Sequence, residues 1–150
     1  WRQVRDSVEI ALWRPPKVWP VALMTEAFKE PKRFRLPMPG LIFLCSPGRP
    51  PSVFAAKKRP KKPADVLYHA PLFNVYERGG TCPGTHKYPQ NIEEIPESFF
   101  LSFFTKEAQF RSSSKKYPDD LLKLWEEIDG KKKYPLEDLV PVGKVEDIMK

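Results

Sequence analysis

Cysteine is scarce in this chain: two in 150 residues, Cys45 and Cys82, too few for a disulfide framework. That scarcity points to a reducing, cytoplasmic setting, which also suits a working thiol. No apolar run approaches the length of a membrane span, and nothing at the start reads as a secretory signal. The two histidines, His69 and His86, lack the short paired spacings with cysteine that a zinc site needs, so no metal is expected. Acidic residues are outnumbered 19 to 26 by lysine and arginine, leaving a net charge of +7. Part of the excess is concentrated in Lys57-Lys58-Arg59-Pro60-Lys61-Lys62. Such a run reads first as a solvated loop and second as a surface for an acidic partner or nucleic acid.

What the chain has in quantity is proline, 18 residues spread between apolar segments. That pattern predicts many short elements joined by fixed turns rather than long helices or a disordered tract. The length suits one domain, residues 1–150, with a real core. The chain opens on Trp1 rather than Met, which leaves open that it is a piece of a longer polypeptide. Approximate alternation of Val4, Val8, Ile10 and Leu12 predicts a strand around 3–13. A second strand is expected at Val18–Leu23 and a helical turn at Thr25–Lys29. Leu41–Cys45 and Ser52–Ala56 flank Pro47-Gly48-Arg49-Pro50 and read as an antiparallel hairpin, with Asp65–His69 as the next strand. Two helices follow. One carries Phe99, Phe100, Phe103 and Phe104 and is placed near 97–106 because Pro96 should stop it from starting earlier. The other carries Leu121, Leu122, Trp125 and Ile128 between Pro118-Asp119-Asp120 and Gly130. Strands followed by helices make an α+β arrangement.

The chemistry concentrates in Asn74-Val75-Tyr76-Glu77-Arg78-Gly79-Gly80-Thr81-Cys82. Cys82 follows a glycine turn and precedes Pro83-Gly84, which predicts irregular, accessible backbone rather than a core strand. Cys45, ending an apolar run without polar companions, reads as a small buried hydrophobe. An exposed thiol is a nucleophile once its thiolate is stabilised. Asn74 can return in space to hydrogen-bond an oxyanion beside the sulfur, or else bond its own backbone in a turn. His86, four residues on, can stabilise a thiolate or act as base. A cysteine–histidine dyad would suggest a thiol hydrolase, but its usual third group is not recognisable. His69, at a strand end, reads as structural.

The spacing Asn-Val-Tyr-x-x-Gly-x-x-Cys resembles the active-site segment of ubiquitin-conjugating enzymes. Trp13-Arg14-Pro15-Pro16, Leu36–Phe43, Leu67-Tyr68-His69-Ala70-Pro71, Phe99-Phe100 and Leu139-Val140-Pro141 extend the resemblance to a divergent bacterial branch that includes the PRTRC system protein B group. It implies an antiparallel β-meander with an active-site loop and packed C-terminal helices. It further implies that Cys82 accepts a ubiquitin-like protein as a thioester from a ThiF-like activating enzyme and passes it to a lysine. Asn74 would then steady the loop or the oxyanion, and Tyr76 would orient and desolvate the incoming amine. Gly79 would make the turn, with Gly80, Thr81 and His86 completing the loop. No cofactor is implied, and a metal-dependent isopeptidase encoded nearby is a third implied partner. The chain departs from the common pattern in having Leu72-Phe73 between Pro71 and Asn74, and Pro83 where an aliphatic residue usually follows the cysteine. It also lacks an amphipathic N-terminal helix, and Asp119 and Asp120 are only positional candidates for an acidic gate residue. A non-catalytic scaffold for a ubiquitin-like protein, or a basic nucleic-acid-binding module, are the competing readings.

Overall fold

In a computed structural model, which describes residues 2–4, 7–25, 29–82 and 84–149, burial along the strands sets the layers. Strand β5 (Gly40–Cys45) is buried at every position, the mark of a strand covered on both faces. Its odd residues Leu41, Phe43 and Cys45 join the main core, while Ile42 and Leu44 face a smaller one. β6 (Ser52–Ala56) divides in the same way, with Val53 and Ala55 on the main side and Phe54 and Ala56 on the other.

These two strands are the predicted hairpin, paired Gly40↔Ala56 through Leu44↔Ser52. They lie at the centre of a six-stranded sheet in the order β1-β2-β5-β6-β7-β9, built from β1 (Arg2–Val4), β2 (Ser7–Arg14), β7 (Val66–His69) and β9 (Pro141–Lys144). Its described pairings are antiparallel. The expected strand at 3–13 is thus two strands folded on each other, Arg2 opposite Glu9. Proline opens β9 at the sheet edge, a position where its missing N–H is tolerated.

A second sheet, in the order β4-β3-β8, closes the main core. β3 (Lys17–Met24) contains the expected Val18–Leu23 strand and pairs with β4 (Lys32–Met38), which the sequence did not reveal. The helical turn expected at Thr25–Lys29 falls largely outside the described residues, as does Pro83.

The first helix differs from expectation. α1 spans Ile95–Leu101 rather than 97–106, after a single 3-10 turn at Ile92–Glu94 that Asn91 caps through Glu93 N. Pro96 sits in the first turn of α1, where its absent N–H has no intrahelical partner to lose. Beyond Ser102 the chain is extended, and Phe103–Thr105 forms β8 parallel to β3. Phe103 and Phe104 therefore belong to a strand, and only Phe104 points into the core. The second helix, α2 (Leu121–Ile128), matches its apolar stripe. Asp120 caps it through Lys123 N, and Gly130 follows it at φ 78°. A short C-terminal helix, α3 (Val145–Ile148), covers the smaller core.

Candidate active site

The approach to Cys82 is fixed before the loop begins. Trp125 on α2 donates from Nε1 to Pro71 O at 3.0 Å and meets the Phe73 ring edge-on at 4.8 Å. Arg111 supplies the second anchor. Its guanidinium donates to His69 Nδ1 at 2.9 Å, Ala70 O at 2.5 Å and Val75 O at 3.2 Å, so one side chain brackets the run from His69 to Val75. Burial lowers Arg111 to about 10; burial, with the guanidinium beside it, lowers His69 to about 4. His69 is thus a neutral acceptor, and its structural reading agrees with the geometry.

The loop itself is a miniature hairpin. Val75 bridges Thr81, Tyr76 N donates to Gly80 O at 2.7 Å, and Gly79 N donates to Tyr76 O at 2.9 Å. Gly79 has φ 91°, and a Cβ there would stand 2.3 Å from the Phe54 ring, so two independent constraints require glycine. The hairpin is stitched to β6 by Val53 N to Gly79 O and by Thr81 Oγ1 to Pro51 O. Cys82 emerges from its end, partly exposed, with its N–H donating to Asn74 O at 2.8 Å.

Asn74 is the sole non-glycine residue at positive φ among those described, at 66°. Asparagine tolerates this region better than most side chains. Its buried amide donates from Nδ2 to Phe103 O at 2.9 Å and accepts from Thr105 N at 3.0 Å. Asn74 therefore holds the outer edge of β8, which lines the same cleft as Cys82. One Nδ2 hydrogen remains beyond the bond to Phe103.

That cleft has a volume of about 510 Å³ and is lined by Asn74, Cys82, His86, Leu101, Phe103 and their neighbours. The structure thus gathers three of the sequence candidates around one space. Tyr76 does not line that cleft but neighbours the Cys82 sulfur. The neighbouring Cys82 sulfur raises the phenol's pKa, so the phenol keeps its proton and is placed to donate it to a thiolate. The Tyr76 ring is itself exposed and stacks on Phe110, centroids 4.7 Å apart. His86 Nε2 lies 2.9 Å from Ser98 Oγ on α1, and its ring sits edge-on to Tyr88, so its hydrogen bond runs to the helix. Cys45 is fully buried, and desolvation pushes its thiol up to about 12. No cluster of three metal-ligating side chains occurs among the described residues.

The model of prokaryotic E2 family D matches residues 4–142. The chain belongs to that family. No curated protein and no solved structure matches it. Family D is a bacterial E2-like family, which points to ubiquitin-like conjugation as a class, and the mixed α/β architecture with antiparallel sheets is compatible with an E2-like fold.

Residues that sequence reading missed are those acting from a distance. Arg111, Trp125 Nε1, Phe110 and the outward-facing Leu101 and Phe103 carry no local motif. Leu101 and Phe103 are 79% and 55% exposed beside the cleft, Tyr76 and Phe110 44% and 45%. Four of the six large hydrophobic side chains exposed among the described residues therefore surround Cys82, a concentration expected of a contact surface. Two of them occupy the stretch expected to be helix, which hid their common orientation.

Proposed function

We propose that this family member is a cysteine thioester carrier of the ubiquitin-conjugating type. The thiolate of Cys82 attacks the thioester carbonyl between a ubiquitin-like protein's C-terminal glycine and the cysteine of a ThiF-like activating enzyme. The tetrahedral oxyanion collapses and expels that enzyme's thiolate, leaving the ubiquitin-like protein on Cys82. A substrate lysine, as the free amine, then attacks the new thioester. Cys82 leaves as thiolate, the amine loses a proton to solvent, and an isopeptide bond remains.

The observation that carries this reading is the setting of Cys82: a partly exposed thiol at the mouth of a cleft, tied by its own N–H to Asn74, with a phenol against the sulfur. Tyr76 donates to the thiolate between transfers and, with Phe110, forms an apolar lip that disfavours ammonium in the incoming lysine. Asn74 keeps one N–H for the developing oxyanion, while its other bonds hold β8 as the opposite wall. Gly79, Gly80 and Thr81 fix the hairpin, and His86 shapes the cleft through Ser98. Leu101 and Phe103 suit the apolar side chains of the carrier or acceptor. The finer assignment, to the branch with PRTRC system protein B, rests on the sequence blocks quoted above. With it come a nearby isopeptidase, a role in mobile elements or phage defence, and a cytoplasmic setting. Among the described residues no helix is long and apolar enough to cross a membrane.

The decisive experiment incubates the protein with a ThiF-like adenylating enzyme, a β-grasp protein of the ubiquitin type, and ATP. A thiol-reducible adduct should form, vanish in Cys82→Ala, persist in Cys45→Ala, and become a hydroxylamine-sensitive ester in Cys82→Ser. Non-covalent binding without any adduct would favour the scaffold reading instead.

A further inference from the structure

The basic run, which the thiol chemistry does not use, turns out to be architecture. It follows the C-terminal end of β6, whereas the Cys82 hairpin is stitched to the N-terminal end. Asp65 Oδ2 accepts from Lys61 N at 2.8 Å and Lys62 N at 2.9 Å, folding the run into a turn. Val145 N donates to Asp65 O, and Glu146 N to Pro63 O, each at 2.9 Å, which joins the turn to α3. Between this turn, β2, β5 and α3 lies a cleft of about 600 Å³. Its floor is apolar, with Trp13, Ile42 and Met149, and one wall carries the exposed cations Arg59, Lys61 and Lys62. Among the described residues, Glu146 is its one acidic lining residue. The Trp13 ring lies directly over Gly40, where a Cβ would stand 2.1 Å from it, so glycine permits this floor. Lys57 turns elsewhere, over the Tyr68 ring at 5.2 Å.

We propose that this cleft docks an acidic polypeptide segment bearing a bulky apolar anchor, contributed by a partner protein. Three cations against one carboxylate select negative charge, and the apolar, concave floor selects a side chain that can be buried in it. A nucleic-acid backbone or an anionic lipid headgroup supplies charge without a discrete apolar anchor. Among the described residues the cleft shares no lining residue with that of Cys82, so docking leaves the thiol accessible.

The test is an amide and indole NMR titration of the whole chain with a synthetic peptide in which Phe-Leu is flanked on both sides by Asp and Glu. The Trp13 indole and the Lys61 and Lys62 amides should move, and the Cys82 alkylation rate should not. Replacing the acidic residues by Asn and Gln, or Phe-Leu by Gly-Gly, should abolish binding. Lys61→Gln with Lys62→Gln, both exposed, should weaken it roughly tenfold. The proposal is overturned if the peptide does not bind, if the Gly-Gly peptide binds equally well, or if the shifts centre on Cys82. It is also overturned if a single-stranded oligonucleotide or phosphatidylserine vesicles occupy the cleft more tightly than the peptide.

Discussion

Cys45 and Cys82 lie at or beside strands of one sheet, yet the fold treats them oppositely. Cys45 ends β5 and keeps strand geometry, so its side chain takes the inward position that alternation assigns and disappears into the main core. The positive charge of Arg14 only partly offsets the cost of ionising it there. Cys82 comes immediately after a closed hairpin and outside any strand, with its N–H spent on Asn74 and its sulfur left at a cleft. The burial of one thiol and the partial exposure of the other therefore follow from backbone context a few residues upstream rather than from anything in the cysteine.

The largest expected effect breaks this comparison directly. A thiol near 12 is about one part in ten thousand thiolate at pH 8, and Cys45 is in addition wholly inaccessible. Iodoacetamide should therefore modify Cys82 at least roughly a thousandfold faster than Cys45 in the native protein, with denaturant equalising the two. Peptide mapping after a timed pulse reads the ratio. Comparable labelling of both sites would mean that the core is open at β5 and would remove the contrast.

Next in size is Arg111. Arg111→Met leaves the carbonyls of Ala70 and Val75 without their donor and should cost about 2–4 kcal/mol in a urea melt. Arg111→Lys keeps the charge but cannot span three acceptors at once, so it should recover only part of the loss. Both variants should also slow Cys82 alkylation or broaden its dependence on pH, because the bracket holding the hairpin is gone. A full melt-stability loss with unchanged Cys82 behaviour would show that Arg111 serves the core alone.

How much of this was legible beforehand depends on the range of the interactions. The hairpin of β5 and β6, the strand into His69, α2 between Asp120 and Gly130, and the burial of Cys45 against the exposure of Cys82 were readable, because each is written in neighbouring residues. β4 was not, since Lys32, Arg33 and Arg35 interrupt its apolar signal and only the pairing with β3 makes it a strand. The run Phe99–Phe104 has helical spacing, but Ser102 breaks it. Phe103–Thr105 is claimed by β3 on one edge and by the Asn74 amide on the other. Arg111 brackets residues 36 to 42 positions away, which no local pattern encodes.

Asn74 sharpens the comparison at the level of one side chain, because its backbone and its amide can be tested apart. Asn74→Ala puts a Cβ residue without a compensating amide at φ 66° and frees the edge of β8, for an expected loss of about 2 kcal/mol. Asn74→Gly relieves the backbone cost and should recover about 1 kcal/mol of it. If the amide also serves the oxyanion, both variants should slow transfer from Cys82 equally, despite their different stabilities. Rates that instead track stability would leave Asn74 with the β8 edge as its whole task.

The smallest effect is a pH dependence. His69 is held near 4 in the fold, below its ordinary value near 6.5, because burial and Arg111 both oppose its protonation. A proton is then taken up preferentially by the unfolded chain. Stability should be complete above about pH 6.5 and fall progressively toward pH 4, by on the order of 2 kcal/mol after allowing for partial solvent access. His69→Gln can still accept from Arg111 Nε but does not titrate, so it should flatten the slope between those limits. Since Arg111 links His69 to Val75, the same acidification should loosen the hairpin bearing Cys82 before it loosens β5 around Cys45. Hydrogen exchange at Tyr76 and Gly79 should therefore accelerate relative to exchange at Phe43 and Leu44 as the pH is lowered. Equal acceleration in both regions would mean that the hairpin and the central sheet open as one unit, and that the two cysteines differ in burial but not in local stability.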